Sequence, residues 1–459
     1  MSGGGNLRAG AAELDITPPL GLELCGYGPY EKRVATEVLD PLTARALWLE
    51  ASGRSVVLIC LDLVAVSAAT RDAAAAALRD RCSVPDECVF AAASHTHSGP
   101  ATARLIAWGE RDAAYMARLA EAMVEVALSA RDSLRPARIG ACRQRVTGVG
   151  VNREQPDLGP LDTAAQLMRV DDAEGRPMAV VFNYGAHAVT RYPFTSRISA
   201  DWPGLAAACL KHRTGGAVPL FLQGPCGNIN GHDVLFGRAD ACLLQKVSDT
   251  HAGYVAEHFC SQVAPGLERI ATSSMIELGA RRRMVRLPCT ALDEAALRRT
   301  IEEKRALAEC RTLADLRPLH QRMADETPEE SAWRWARYEF DAAAAQLEAL
   351  RAGVTHVEAP IQVLRIGPAA IVGWPGEVFV ELGIELRQRS PVPLTFVASF
   401  ANDYVGYIPT PAAYESRGKP HEFGRYPTAV TPRIVGLPPF RSDVGAVLVE
   451  ETLGMLGGL

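Results

Sequence analysis

The chain has 459 residues, with 48 Lys and Arg against 53 Asp and Glu, a formal net charge of −5. Hydrophobic residues make up 48% and charged residues 22%, which sets aside disorder and fibrous repeats, while the acidic balance argues against a nucleic-acid partner. A chain of this length can bury a large core without disulfides. The 11 cysteines include no Cys-x-x-Cys pair, and Cys60 and Cys209 sit in apolar or small-residue runs. They read as reduced core residues and point to a cytoplasmic location. The N-terminal segment holds no apolar stretch of secretory-signal length. The longest apolar run, Val56 to Ala69, is cut by Asp62 and too short for a bilayer, so no stable membrane association is expected.

In chain order, Ser55–Leu61 reads as a buried strand followed by a helix over Ala68–Arg81, and Glu87–Ala93 as a second strand. Asp112–Ala130 has the pattern of an amphipathic helix, with Leu119, Met123 and Val126 on its apolar side. Met178–Phe182 and Val218–Leu222 are further buried strands, each ending in a glycine-bearing loop. This alternation predicts an α/β fold with a mixed central β-sheet layered with helices. Residues 290–354 differ, being charged and helical with a break near Pro328. Thr327 before Pro328, Glu329 and Glu330 is a helix start, so an inserted hairpin of two long antiparallel helices is expected. Trp333 and Trp335, two apart, fall on different helix faces and cannot share one buried contact. Strands resume over Ala359–Trp374 and Pro393–Phe400, and Ser442–Gly457 closes the chain as a helix. The expected organisation is one domain over 1–459, with 290–354 as a helical insertion.

Walker A, His-Glu-x-x-His and Gly-x-Ser-x-Gly motifs are all missing, and Arg153 stands where Gly148-Val-Gly150 would need a third glycine. What stands out is Ser94-His95-Thr96-His97-Ser98-Gly99-Pro100, directly after a buried strand. On an extended backbone two histidines one residue apart face the same way. Strand ends are where α/β folds build sites, and neutral imidazole is a common zinc ligand. A second polar loop carries His187 and leads on to Asp201. A third runs from Gly224 through Asn228, Asn230 and His232 to Asp233. Three such loops fit one pocket, although the Asn228 and Asn230 amides also have a plain use in satisfying turn backbones.

Together with Gly376-Glu377, the Ala401–Ile408 segment and the opening Ala12–Gly21, these motifs resemble the catalytic domain of the neutral/alkaline non-lysosomal ceramidase family. The resemblance implies one Zn²⁺ per chain, held by His95, His187, Glu377 and Tyr407. It also implies that His97 contacts the scissile group and that Arg153 lines the site. Asn230 stands where ceramide-cleaving members carry a serine; it can donate a hydrogen bond to an oxyanion but cannot deliver a hydroxyl proton. Asp201 is grouped with His97, Arg153 and Asn230 as catalytic. The chain ends soon after Tyr407, without the immunoglobulin-like domain of secreted ceramidases, so long-chain membrane ceramide is not the expected substrate. The expectation is a zinc-dependent hydrolase that uses metal-activated water to cleave the C–N amide bond of a soluble N-acyl compound, acting alone or as an oligomer. Ester or lactone hydrolysis, or acyl transfer to an amine, is the alternative on the same metal site. A non-catalytic small-molecule binding protein that keeps the fold is the alternative of another class.

Overall fold

Side-chain alternation along the buried strands decides the architecture. In the strand Arg54–Leu61, Val57, Ile59 and Leu61 enter one hydrophobic core while Val56, Leu58 and Cys60 enter another. A strand buried on both faces reads as an unbroken apolar run, which is why the sequence marks it so clearly. The computed structural model describes residues 5–155, 159–191, 193–231, 241–323, 325–415 and 426–459.

The larger sheet contains β1 (Arg8–Asp15), β2 (Thr43–Ala51), β3 (Arg54–Leu61), β4 (Val89–Ala93), β5 (Arg135–Arg145), β6 (Ala164–Asp172), β7 (Pro177–Tyr184) and β8 (Val218–Gln223), in the order β8-β7-β6-β5-β1-β2-β3-β4. It is mixed: β3 pairs with β4 and β7 with β8 in parallel, and the other neighbours are antiparallel. Four helices cover its outer face: α1 (Ala68–Cys82), α2 (Ala113–Asp132), α3 (Asp201–Arg213) and α4 (Ala241–Glu268). The expected central sheet is therefore present, but a second sheet stacks on its inner face. That sheet is β9 (Leu278–Pro288), β10 (His356–Ile366), β11 (Ala369–Gly373) and β12 (Leu394–Ala398), in sequential order. Leu58, Phe90 and Leu220 from the first sheet pack against Leu364, Ile371 and Phe396 from the second. Between β9 and β10 lie α5 (Glu294–Glu309) and α6 (Pro328–Arg351). α7 (Val380–Arg389) and α8 (Val444–Leu456) cover the outer face of the smaller sheet through Leu382, Leu386, Leu448 and Val449. The layers run helices, sheet, sheet, helices.

Local chemistry explains the boundaries. Asp112 caps α2 by accepting from the Tyr115 N–H at 2.7 Å, and Thr327 with Glu330 forms a reciprocal capping box on α6. The expected hairpin of α5 and α6 is held by Leu297, Ala343 and Leu347. Trp333 is 2% exposed and Trp335 50%, as their spacing requires. The strand expected from Glu87 begins at Val89 instead. The fully buried Arg71 guanidinium takes the Asp86 carboxylate and the carbonyls of Asp86 and Val89, folding Asp86–Cys88 into a 3₁₀ turn. The run expected over Ala359–Trp374 divides into β10 and β11 at Gly367, whose φ is +54°. The described cysteines are all free thiols, and no described helix is long and apolar enough to cross a membrane.

Asn402, fully buried at φ +64°, locks the two sheets together. Its Oδ1 accepts from Ala91 N–H on β4 at 3.1 Å, and its Nδ2 donates to Gln362 on β10 at 2.7 Å. Asn402→Ala strands both partners. At about 1–3 kcal/mol for each unsatisfied group, urea denaturation should show a loss of roughly 2–6 kcal/mol.

Candidate metal centre

The chain leaves β4 at Ala93 and turns at His95, whose φ of +64° is left-handed rather than extended. The strand alternation expected to align His95 with His97 therefore does not apply. The two rings meet through this turn instead, with Nε2 atoms 3.0 Å apart and planes at 85°. Phe400 stacks on His95 at a centroid distance of 3.9 Å. Gly26, at φ +114°, lies against His97 so closely that a Cβ there would come within 2.4 Å of the ring.

His187 follows β7. Glu377 and Tyr407 arrive together, because Glu377–Val378 and Tyr407–Ile408 form a short parallel bridge that puts the two residues in register. Glu377 Oε2 lies 2.9 Å from His187 Nε2 and 3.6 Å from His95 Nε2. The Tyr407 hydroxyl bonds Glu377 and accepts from Arg153 Nη2 at 2.5 Å. All four expected ligands are buried in one place.

The hydrogen-bond network assigns the imidazole tautomers. His95 Nδ1 gives its proton to the Val64 carbonyl at 2.7 Å, and His187 Nδ1 to Ile229 at 3.0 Å. Both Nε2 atoms are then lone pairs aimed at the Glu377 carboxylate. Burial, aided by Arg153, lowers His187 to about 4, so it carries no second proton at neutral pH. Lone pairs facing a carboxylate repel unless a cation lies between them. Metal bonds of ~2.0–2.2 Å set tetrahedral ligand atoms about 3.3–3.6 Å apart; the observed 3.6 Å matches that edge and 2.9 Å is shorter than it. The donor set fits a divalent metal. Burial keeps the Tyr407 phenol protonated, its pKa well above the ordinary tyrosine value even though Arg153 opposes the rise. His97 also belongs to the group: the ligating atoms of His95, His97 and His187 all lie within 4.8 Å of one another.

Arg153 and Asn230 join at one remove from these ligands. Arg153 donates to Tyr407, to the Gly227 carbonyl and to Asn230 Oδ1 at 3.2 Å. Asn228 follows the plain reading, accepting from Val380 N–H at 3.0 Å and donating to Glu381 at 2.9 Å at the start of α7. Asp201 does not reach the catalytic cluster. Its carboxylate is taken up by Thr190 Oγ1 at 2.6 Å and Arg191 N–H at 3.0 Å, so it braces the loop after His187. His232 and Asp233 lie outside the described residues. Sequence reasoning missed Tyr404, which donates to Glu377 Oε1. It missed Trp108, Tyr426 and Ile434 as well, which help wall a cavity of about 30 Å³ that His95, His97, Glu377 and Tyr407 also line.

Zinc-loaded protein should hold one equivalent of metal by mass spectrometry. His187→Ala and Glu377→Ala should each bind at least ~100-fold more weakly, beyond the loss from disturbing a ligand's outer partner. Stoichiometric zinc retained in His187→Ala would exclude this donor set. Beside Arg153, burial and then Glu381 raise the Glu154 carboxyl from 4.5 to about 7. A raised carboxyl penalises the fold increasingly as pH climbs through this window. Glu154→Gln should therefore stabilise the protein more at pH 8 than at pH 5 in paired denaturation curves, because only the wild type carries that penalty.

Residues 7–220 match the family model described as neutral/alkaline non-lysosomal ceramidase, N-terminal. The fold superposes on the crystal structure of neutral ceramidase from Pseudomonas aeruginosa with a TM-score of 0.71, covering 99% of this chain and 75% of that one at 20% identity. A ceramidase complexed with C2 superposes with a TM-score of 0.72, covering 98% and 75% at 18% identity. No curated protein matches by sequence. Residues 7–220 thus match the neutral/alkaline non-lysosomal ceramidase family model, and the chain carries the neutral ceramidase fold over its length.

Proposed function

We propose that the protein is a zinc-dependent hydrolase that cleaves the C–N amide bond of a soluble N-acyl compound, with residues 1–459 acting as one catalytic unit. The observation that carries this reading is the convergence of two imidazole lone pairs and one carboxylate beside a third imidazole, in a buried and largely apolar pocket. His95, His187, Glu377 and Tyr407 would hold the cation, which supplies Lewis-acid polarisation and a nucleophilic oxygen source at neutral pH.

The protein's own groups set the rest. Because His95 Nε2 is a lone pair, His97 presents an Nε2–H at the rim of the donor set, 3.0 Å away. Burial, then His95 and His187, hold His97 well below the ordinary histidine range, so it acts as a neutral hydrogen-bond donor. From there it can meet the oxyanion of a tetrahedral intermediate. Arg33, 1% exposed, fixes its backbone by donating to the His97 carbonyl at 2.7 Å. Arg153 orients the Tyr407 phenol, while Asn230 spends its carbonyl oxygen on Arg153. That assigns Arg153 and Asn230 to positioning.

Zinc-loaded enzyme should hydrolyse N-acyl amides when offered matched amide and ester analogues, with and without an amine acceptor. His97→Ala should lower kcat about 10²–10³-fold while keeping its zinc. Exclusive cleavage of esters, or transfer to the amine in preference to water, would overturn the amidase reading.

A further inference from the structure

Resting on that reading, we infer that the pocket accepts only a short, uncharged acyl group, and that the helical insertion sets the limit. The cavity beside the metal ligands measures about 30 Å³, against roughly 300–1,000 Å³ for pockets that take drug-sized ligands. Its far wall is apolar, built by Val64, Leu105, Trp108 and Ile434, and among the described residues Glu377 is the only formally charged side chain that lines it. Away from the groups that would hold the cation, a charged acyl group would lose its hydration against this wall with no counter-charge from Val64, Leu105, Trp108 or Ile434.

This wall is anchored from outside. Trp108, 7% exposed, is held edge-on at 5.2 Å by Tyr338 of α6, itself 3% exposed. On another side of the indole, Gly28 approaches so closely that a Cβ would lie 2.7 Å from it. The insertion in turn grips the chain segment around Gly28. Arg334 donates to the Pro29 carbonyl at 2.7 Å and to Glu31 at 3.0 Å, and Arg322 donates to the Glu31 carboxylate at 2.8 Å. Both guanidiniums are at least 95% buried, and each has a second acid in Glu326. Gln346 fixes the stretch beyond Ile434 by donating to the Leu437 carbonyl at 2.8 Å. A wall pinned by paired, buried charges does not yield to a longer chain without leaving an ion uncompensated.

The test measures acyl length in two ways on the zinc-loaded full chain. One is kcat/KM for N-acyl amides of a single amine, from acetyl through butyryl and hexanoyl to lauroyl. The other is calorimetric affinity for the matching alkyl hydroxamates, metal-binding probes that need no turnover. Both should fall by about tenfold or more once the chain outgrows the pocket. Trp108→Ala should shift the optimum to longer chains; if it folds poorly, Ile434→Ala and Leu105→Ala make the same comparison. Hydroxamate affinity that rises with length, hydroxamates that do not bind at all, or folded wall variants with an unchanged length profile would each overturn the inference. Hydroxamates ranked short over long with no amide cleaved at any length would support the pocket limit and reject the amidase reading instead.

Discussion

Two nitrogen lone pairs and a carboxylate oxygen cannot be held a few ångströms apart without something positive among them, and much of this molecule serves to hold them there. The tautomers are set one step away, by the carbonyls of Val64 and Ile229. Val64 lies on the loop after β3 and Ile229 in a short strand paired with Gly150–Asn152, so the ring orientations are no freer than the sheet. Burial completes the arrangement by denying His187 the second proton that would remove the repulsion. A divalent ion among these atoms would relieve the repulsion.

Placement explains why two sheets are needed. His95 and His187 leave the ends of β4 and β7 in the larger sheet, while Glu377 and Tyr407 belong to loops of the smaller one. The site sits on the seam. Buried amides stitch that seam: Asn183 on β7 donates to the Leu222 and Val397 carbonyls at 2.8 and 3.0 Å, and Asn402 joins β4 to β10. Each is an expensive polar group in a core, offset by the bonds it makes across the seam. Asp201, remote from the chemistry, does similar work on the loop behind His187.

What the sequence made legible follows the range of the interactions involved. Caps and periodicity are local, so β3, α2 and the Thr327 start of α6 stand close to where the residues predict. The opposed fates of Trp333 and Trp335 follow equally from spacing. The second sheet was hidden because a strand buried on both faces has the same composition whatever covers it. The alignment of His95 and His97 was right in outcome and wrong in cause, since a left-handed turn, not a strand, brings them together. Tyr404 gave no signal: it lies in an irregular segment held by long-range bonds, where neither period applies. Asp201 shows the limit of such reading: its carboxylate takes the Thr190, Arg191 and Trp202 donors, a use that its sequence context does not distinguish from catalysis.

Gly26 shows how a site can be specified by an atom that is missing. Its left-handed backbone and its contact with the His97 ring leave no volume for even a methyl group. Any side chain there would displace the imidazole without touching a single ligand. Saturation mutagenesis aimed at remodelling this site would therefore find position 26 intolerant for reasons of crowding alone, and a functional map would mark it as essential although it contributes no functional group.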